Sequence, residues 1–250
     1  MTLISEVILI ILFFVTSFIG VVTGSNSLIT VPAMFQFGID PKVAVATNMF
    51  GLTFMSIGAS IPFLRRGTVD LGRIWPLIGL TLVSSAIGAL LAVVMSAGSL
   101  KLTISAAMIV VALFILFRRN VGVEVPRSVS TKSAILTYVL AFLLGVYGGL
   151  FSGGYVTMLT AALVAFFGMT FSEAIASTKV INIFSSLVAT AVFMWQGLVN
   201  YPLGILLSVT MFIGAYAGAH YAAKMNDVWL RRIFIVTVIL LAIKTLFDFL

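Results

Sequence analysis

The sequence predicts an all-α integral membrane protein of two homologous, inverted repeats, each with a glycine-broken or re-entrant helix followed by three transmembrane helices. Composition, the lengths of the apolar runs and an internal repeat point to it. Hydrophobic residues make up 62% of the 250 and charged residues only 8%, against about 45–50% and about 25% in soluble domains. So few charges cannot cover a water-facing surface, so the solvent of the outer surface is lipid. The net charge of +7 would suggest nucleic acid in a soluble protein. Here the basic residues Arg65, Arg66, Arg73, Arg118, Arg119, Arg127, Lys132, Lys224, Arg231 and Arg232 fall between apolar runs, where the positive-inside rule puts them. The expected surroundings are therefore a lipid bilayer and no nucleic acid. There is no cysteine, which excludes thiol and Cys–metal chemistry.

Long apolar segments lie near 3–22, 41–64, 72–96, 100–117, 132–148, 172–196, 201–223 and 229–249, each close to the roughly 20 residues a spanning helix needs. The first has no basic n-region and no small-x-small cleavage site, and it carries Glu6, so it reads as a retained helix. Two shorter pieces, near 28–38 and 155–168, follow the first and fifth segments. Local signals agree with these boundaries. Asp40 before Pro41 predicts a capped helix start, and Thr170 with Glu173 has the spacing of a capping box. Arg65, Arg66 and Gly67 form a helix stop. The polar stretch 118–131 reads as a linker between a first transmembrane repeat, 1–117, and a second, 132–250.

The halves repeat at an offset of about 130 residues. Gly24 falls on Gly154, Gly38 on Gly168, and Gly88-Ala89 on Gly218-Ala219. Ala44, Ala46 and Thr47 fall on Ala174, Ala176 and Ser177, and the turn 67–70 on 197–200. If the first segment and its short piece cross once, the halves are parallel, and Lys224, Arg231 and Arg232 land opposite the other basic residues. If the short piece returns to the same face, the halves are inverted and all ten basic residues share one face. The positive-inside rule selects the inverted scheme, with both termini outside.

The chemistry should lie where the helices break. The first segment runs into GVVTGSNSLITVP at 20–32 and the fifth into GVYGGLFSGGY at 145–155. Glycine clusters free backbone groups that cost several kcal/mol each in hydrocarbon unless satisfied. Paired breaks in two halves point to a transport site. The short helix after each break presents its N-terminus, which suits an anion. Close packing alone would explain an isolated glycine, but not a polar run such as Thr23, Gly24, Ser25, Asn26 and Ser27.

These stretches resemble the two repeats of the TauE/SafE sulfite-exporter (TSUP) family. Those repeats carry a glycine-rich stretch, an apolar run ending near proline, and a helix opening on A-x-A-T/S. The first half has Gly20, Thr23, Gly24, Ser25 and Asn26 with Val31-Pro32, then Ala44, Ala46, Thr47 and Asn48. The second has Gly149, Ser152, Gly153 and Gly154, then Ala174, Ala176, Ser177, Thr178 and Lys179. Ser25-Asn26-Ser27 departs from the family's glycine triplet, and the second glycine stretch is shortened. The resemblance covers nearly the whole chain. It implies a multi-pass transporter, not an enzyme, that moves sulfite, a sulfonate or a related organic anion across a bacterial or archaeal cytoplasmic membrane. No cofactor or metal is expected, and the coupling ion, proton or sodium, is left open.

Lys179 lies about two turns into an apolar segment, and an ionisable group there is a functional-site hypothesis by default. The plain alternative is a lysine snorkelling to the interface. Lys179, Asn182 and Ser186 fall on one helical stripe, which favours a site. The candidate substrate-binding set is thus Thr23, Gly24, Ser25, Asn26, Thr47, Asn48, Ser152, Gly153, Gly154, Ser177, Thr178, Lys179 and Asn182. His220 is read as a helix–helix hydrogen bond, and Arg73 and Gln196 as interfacial. Every acid lies in a linker or near a segment end, which argues against carboxylate-based proton relay. Two other classes compete. One is an anion channel, which also uses broken helices. The other is an intramembrane serine protease pairing Ser152 with His220, whose G-x-S-G motif the chain lacks. The inverted scheme predicts that alkaline phosphatase fused after Leu250 is active in cells. Activity only from a cytoplasmic reporter there would overturn it.

Overall fold

A computed structural model describes residues 3–24, 26–100, 102–104, 106, 130–233 and 236. Ser25, most of the fourth and eighth apolar segments, Lys101, Lys244, most of the 118–131 linker, and Glu124 and Asp248 lie outside the described residues. The elements are α1 (Leu3–Thr23), α2 (Ser27–Gln36), α3 (Pro41–Arg65), α4 (Leu71–Val94), α5 (Thr131–Leu150), α6 (Tyr155–Phe167), α7 (Phe171–Trp195) and α8 (Tyr201–Ala222). Among the described residues, six helices (α1, α3, α4, α5, α7 and α8) are long and apolar enough to cross a membrane. The two short ones, α2 and α6, follow the breaks.

The expected caps form. Asp40 Oδ1 accepts from Lys42 N at 2.9 Å ahead of Pro41. Thr170 and Glu173 exchange both bonds of a capping box, at 3.2 and 2.9 Å. The two aligned turns are built alike, Asp70 capping α4 through Arg73 N and Asn200 capping α8 through Leu203 N. The positive-φ glycines among the described residues are Gly24, Gly38, Gly67, Gly154, Gly168 and Gly197, which the offset pairs with one another.

Helices α3 and α7 form the buried centre and touch each other. Around them, α8 packs on α3 and α1, and α4 packs on α5 and α7. The outer helices turn Ile4, Val83, Leu143 and Ile205 outward, all more than half exposed, as a lipid-facing surface requires. The central pair carries many of the buried polar residues because the neighbouring helices shield it. Glycine is needed most sharply at two crossings. A Cβ on Gly88 of α4 would meet Val146 O of α5 at 1.9 Å, and one on Gly218 of α8 would meet Phe18 O of α1 at 2.2 Å.

Contacts sort the helix ends. At one end, Glu6 of α1 shares a surface pocket with Phe37, Gly38, Ile39 and Asp40 after α2 and with Asn200 and Pro202 of the α8 start, and Lys42 Nζ donates to Val93 O at 2.7 Å. The start of α1 and the end of α2 therefore lie on the same side. At the other end, Arg66 donates to Ala223 O at 2.6 Å, Arg73 donates to Phe167 O, and Ser133 Oγ donates to Phe166 O at 2.8 Å. The start of α5 and the end of α6 thus lie together at that second end. Arg73 also stacks over the Phe167 ring, 4.8 Å from its centroid. Arg65, Arg66, Arg73, Lys132 and Lys224 all belong to this second end.

Gly88→Ala should destabilise the purified protein by about 2 kcal/mol or more, because the clash is with backbone. Gly79→Ala, with nothing within 4 Å of the added carbon, should stay within about 1 kcal/mol of the parent. Thermal unfolding in detergent compares the two.

Candidate functional site

Gly24 follows α1 with φ +70, a conformation that glycine adopts without the penalty a Cβ brings. The space is as restrictive as the angle, since a Cβ there would sit 2.7 Å from Thr157 N. The first break therefore lies directly on the opening turn of α6. Thr157 Oγ1 seals the contact by donating to Thr23 O at 2.6 Å. The second break answers on its side: a Cβ on Gly153 would come within 2.9 Å of Leu28 Cδ2 in α2, and Tyr147 OH donates to Gly153 O. The N-termini of α2 and α6 are thus brought together at one place inside the bundle. Neither has a side-chain cap.

A small cavity lies there, lined by Gly20, Gly24, Asn26, Ser27, Leu52, Met55, Ser56, Ser152, Val156, Lys179 and Asn182. Only about 10 Å³ is free for the centre of a water-sized sphere, room for about one water. Lys179 is 3% exposed, which rules out snorkelling. Its position is about 12 Å along α7 from Phe171, well inside a hydrocarbon core of about 30 Å. Nζ donates to Gly20 O at 2.9 Å, at the C-terminal turn of α1, where a cation interacts favourably with the helix dipole. That carbonyl also takes Gly24 N at 2.8 Å. No carboxylate pairs with Lys179 among the described residues.

The other expected residues divide into wall and support. Gly24, Asn26, Ser152, Lys179 and Asn182 line the cavity together. Asn182 Nδ2 donates to Ser56 Oγ at 2.7 Å, and Ser186 on the same stripe donates to Asn182 O at 2.5 Å. Asn48 ties α3 to α2, accepting from Thr30 Oγ1 at 2.8 Å and donating to Ser27 Oγ at 2.9 Å. Thr178 meets Thr160 of α6 at 3.2 Å in the aligned position. Thr47 accepts from Asn200 N at 3.1 Å, towards the first end. Ser177 is buried outside the cavity lining, and Gly153 and Gly154 shape the break rather than the wall. Leu52, Met55 and Ser56 are wall residues that the sequence reading did not name. The repeat carried a signal for Ser56, which aligns with Ser186. His220, expected to bridge helices, is exposed near the end of α8, edge-on to Tyr221, whereas Ser152 is buried in the cavity wall.

Gly24→Ala should lower both thermal stability and flux, since it adds backbone strain and drives the breaks apart. Gly38→Ala, with φ +77 but open space around it, should cost about 1 kcal/mol and leave flux near the parent level. Parallel unfolding and liposome flux measurements check both.

Known proteins match along almost all of the chain. A probable membrane transporter protein, ORF9, of Sinorhizobium sp is 30% identical, covering 94% of this chain and 90% of its own length. A probable membrane transporter protein of Haemophilus influenzae is 28% identical over 94% and 92%. The probable membrane transporter protein YfcA of Escherichia coli K12 is 28% identical over 98% and 92%. No solved structure matches this chain. The family model described as "Sulfite exporter TauE/SafE" matches residues 9–245, and with the paired breaks closing on one buried cavity, the chain belongs to the TauE/SafE family of membrane transporters.

Proposed function

We propose that this transporter moves a small anion, sulfite, a sulfonate or a related organic anion, across the bacterial cytoplasmic membrane through the cavity between the two breaks. The observation that carries this is Lys179, a buried lysine with no carboxylate partner among the described residues. A central membrane lysine costs about 3 kcal/mol on insertion scales, and one carbonyl dipole and one helix C-terminus offset only part of that. An anion would supply the missing charge. The N-termini of α2 and α6 supply further positive potential from two directions.

The cavity's size favours a carrier over an open channel, since about one water fits and substrate entry requires the walls to part. The division into 1–117 and 132–250, related by inversion, gives a route. The hairpin α1–α2 opens from the first end and α5–α6 from the second, so rocking one hairpin against α3 and α7 would expose the cavity to one side at a time. The basic second end is then cytoplasmic. Substrate reaching Lys179 competes with Gly20 O, so binding loosens the contact that holds α1 to α7.

Among the described residues no carboxylate lines the cavity. The simplest drive is therefore the membrane potential, worth about 2.3 kcal/mol per charge per 100 mV for anion exit when the inside is negative. Saturable anion efflux from proteoliposomes should rise with an imposed inside-negative potential. Lys179→Met should abolish it without loss of folded protein. Flux indifferent to both the potential and the substitution would overturn the proposal.

A further inference from the structure

Asn26 stands in the cavity wall with its amide in a defined orientation. Its Nδ2 donates to Ser17 Oγ at 3.3 Å and faces Met55 Sδ at 3.2 Å. A thioether sulfur can accept a hydrogen bond and cannot donate one, while the serine hydroxyl can do either. Met55 thus decides which way the amide lies and puts its nitrogen on that side. Asn26 Oδ1 is left as a buried acceptor with no partner, on a residue that is 3% exposed. Buried acceptors are nearly always satisfied, and one that is not calls for an explanation. Without substrate, a single water can serve. A ligand that displaces that water loses affinity unless it reproduces the donor.

Lys179 sets the second condition. Its single positive charge matches a single negative charge, and a second negative charge would meet no second cation, only the partial charges of the helix N-termini. Ser27 and Ser152 do not discriminate, because hydroxyls donate and accept. An amide oxygen only accepts, and Asn26 Oδ1 is the one in the cavity wall left without a partner, so Asn26 is the selective group.

We propose that the cavity selects a monoanion that brings its own hydrogen-bond donor, with the donor on Asn26 Oδ1 and the negative charge beside Lys179. The favoured class is a singly protonated oxyanion or a sulfonate with a neighbouring hydroxyl. Fully deprotonated dianions and plain alkyl sulfonates are disfavoured. This rests on the reading of the cavity as an anion site.

Isothermal titration of the full chain in nanodiscs with methanesulfonate, hydroxymethanesulfonate and methanedisulfonate tests it. Hydroxymethanesulfonate should bind about tenfold or more tighter than methanesulfonate, the worth of one well-placed hydrogen bond, and the disulfonate weakest. Asn26→Leu should bring the two monoanions to equal affinity. Met55→Leu is volume-conserving and frees the amide to turn, so it should shrink the preference between the two monoanions, and it stands in if Asn26→Leu fails to fold. Equal binding of the two monoanions by the parent protein, both lost in Lys179→Met, would overturn the donor rule and leave the anion site standing. A preference unchanged in both Asn26→Leu and Met55→Leu would overturn the role of Asn26. Binding of none of the three would overturn both readings.

Discussion

Backbone that leaves a helix inside a bilayer must find hydrogen-bond partners within the protein, and the structure depends on how two such breaks satisfy that demand together. The Thr23 carbonyl at the end of α1 is met by the Thr157 hydroxyl of α6. The Gly20 carbonyl is met by Lys179 of α7, and Gly153 by Tyr147. Each break is thus satisfied in part by the other half of the chain or by the neighbouring helix. A break in one half alone would leave orphaned carbonyls in hydrocarbon. That reciprocity keeps the two short helices pointing their N-termini at a common point.

The requirement spreads outward through packing. The breaks stay dry only if they are buried, and α3 and α7 bury them from the centre with polar side chains turned inward. Asn48, Thr53, Ser56, Asn182, Ser185 and Thr190 are all nearly inaccessible. Several bond across helices, as Thr53 with Thr190 at 3.3 Å and Ser85 with Ser185 at 2.5 Å. Such bonds fix the relative position of helices where hydrophobic burial cannot, because lipid tails are as apolar as leucine. Glycines at the crossings let α4 reach α5 and α8 reach α1 at backbone contact, which closes the bundle around the centre.

One lysine then governs the electrostatics. Lys179 fastens α7 to the end of α1 and is at the same time the group a substrate would seek. On the proposed reading, holding the site closed and recognising an anion are one interaction viewed in two states. A transporter gains from that economy, because a ligand changes an equilibrium only through contacts that differ between its states.

Much of this was legible in the chain itself. Helix positions follow from runs of apolar residues about as long as a bilayer is thick, their ends from Asp40-Pro41 and Thr170 with Glu173, and the breaks from glycines paired at a fixed offset. These are local properties, set within a few residues by backbone sterics, capping and hydropathy. The stripe of Lys179, Asn182 and Ser186 was readable for the same reason, since helical spacing alone puts them on one face. What tertiary structure alone decided is which partner each polar group meets. Lys179 reaches Gly20 rather than the interface, Thr47 serves Asn200 rather than the cavity, His220 faces outward, and Met55 sets the amide of Asn26. Each of these joins residues far apart in the chain, and in a sequence rich in apolar and small residues no local pattern says which helix face will meet which. That choice is made by the fit of glycine crossings and the need to satisfy nearly all buried polar atoms at once.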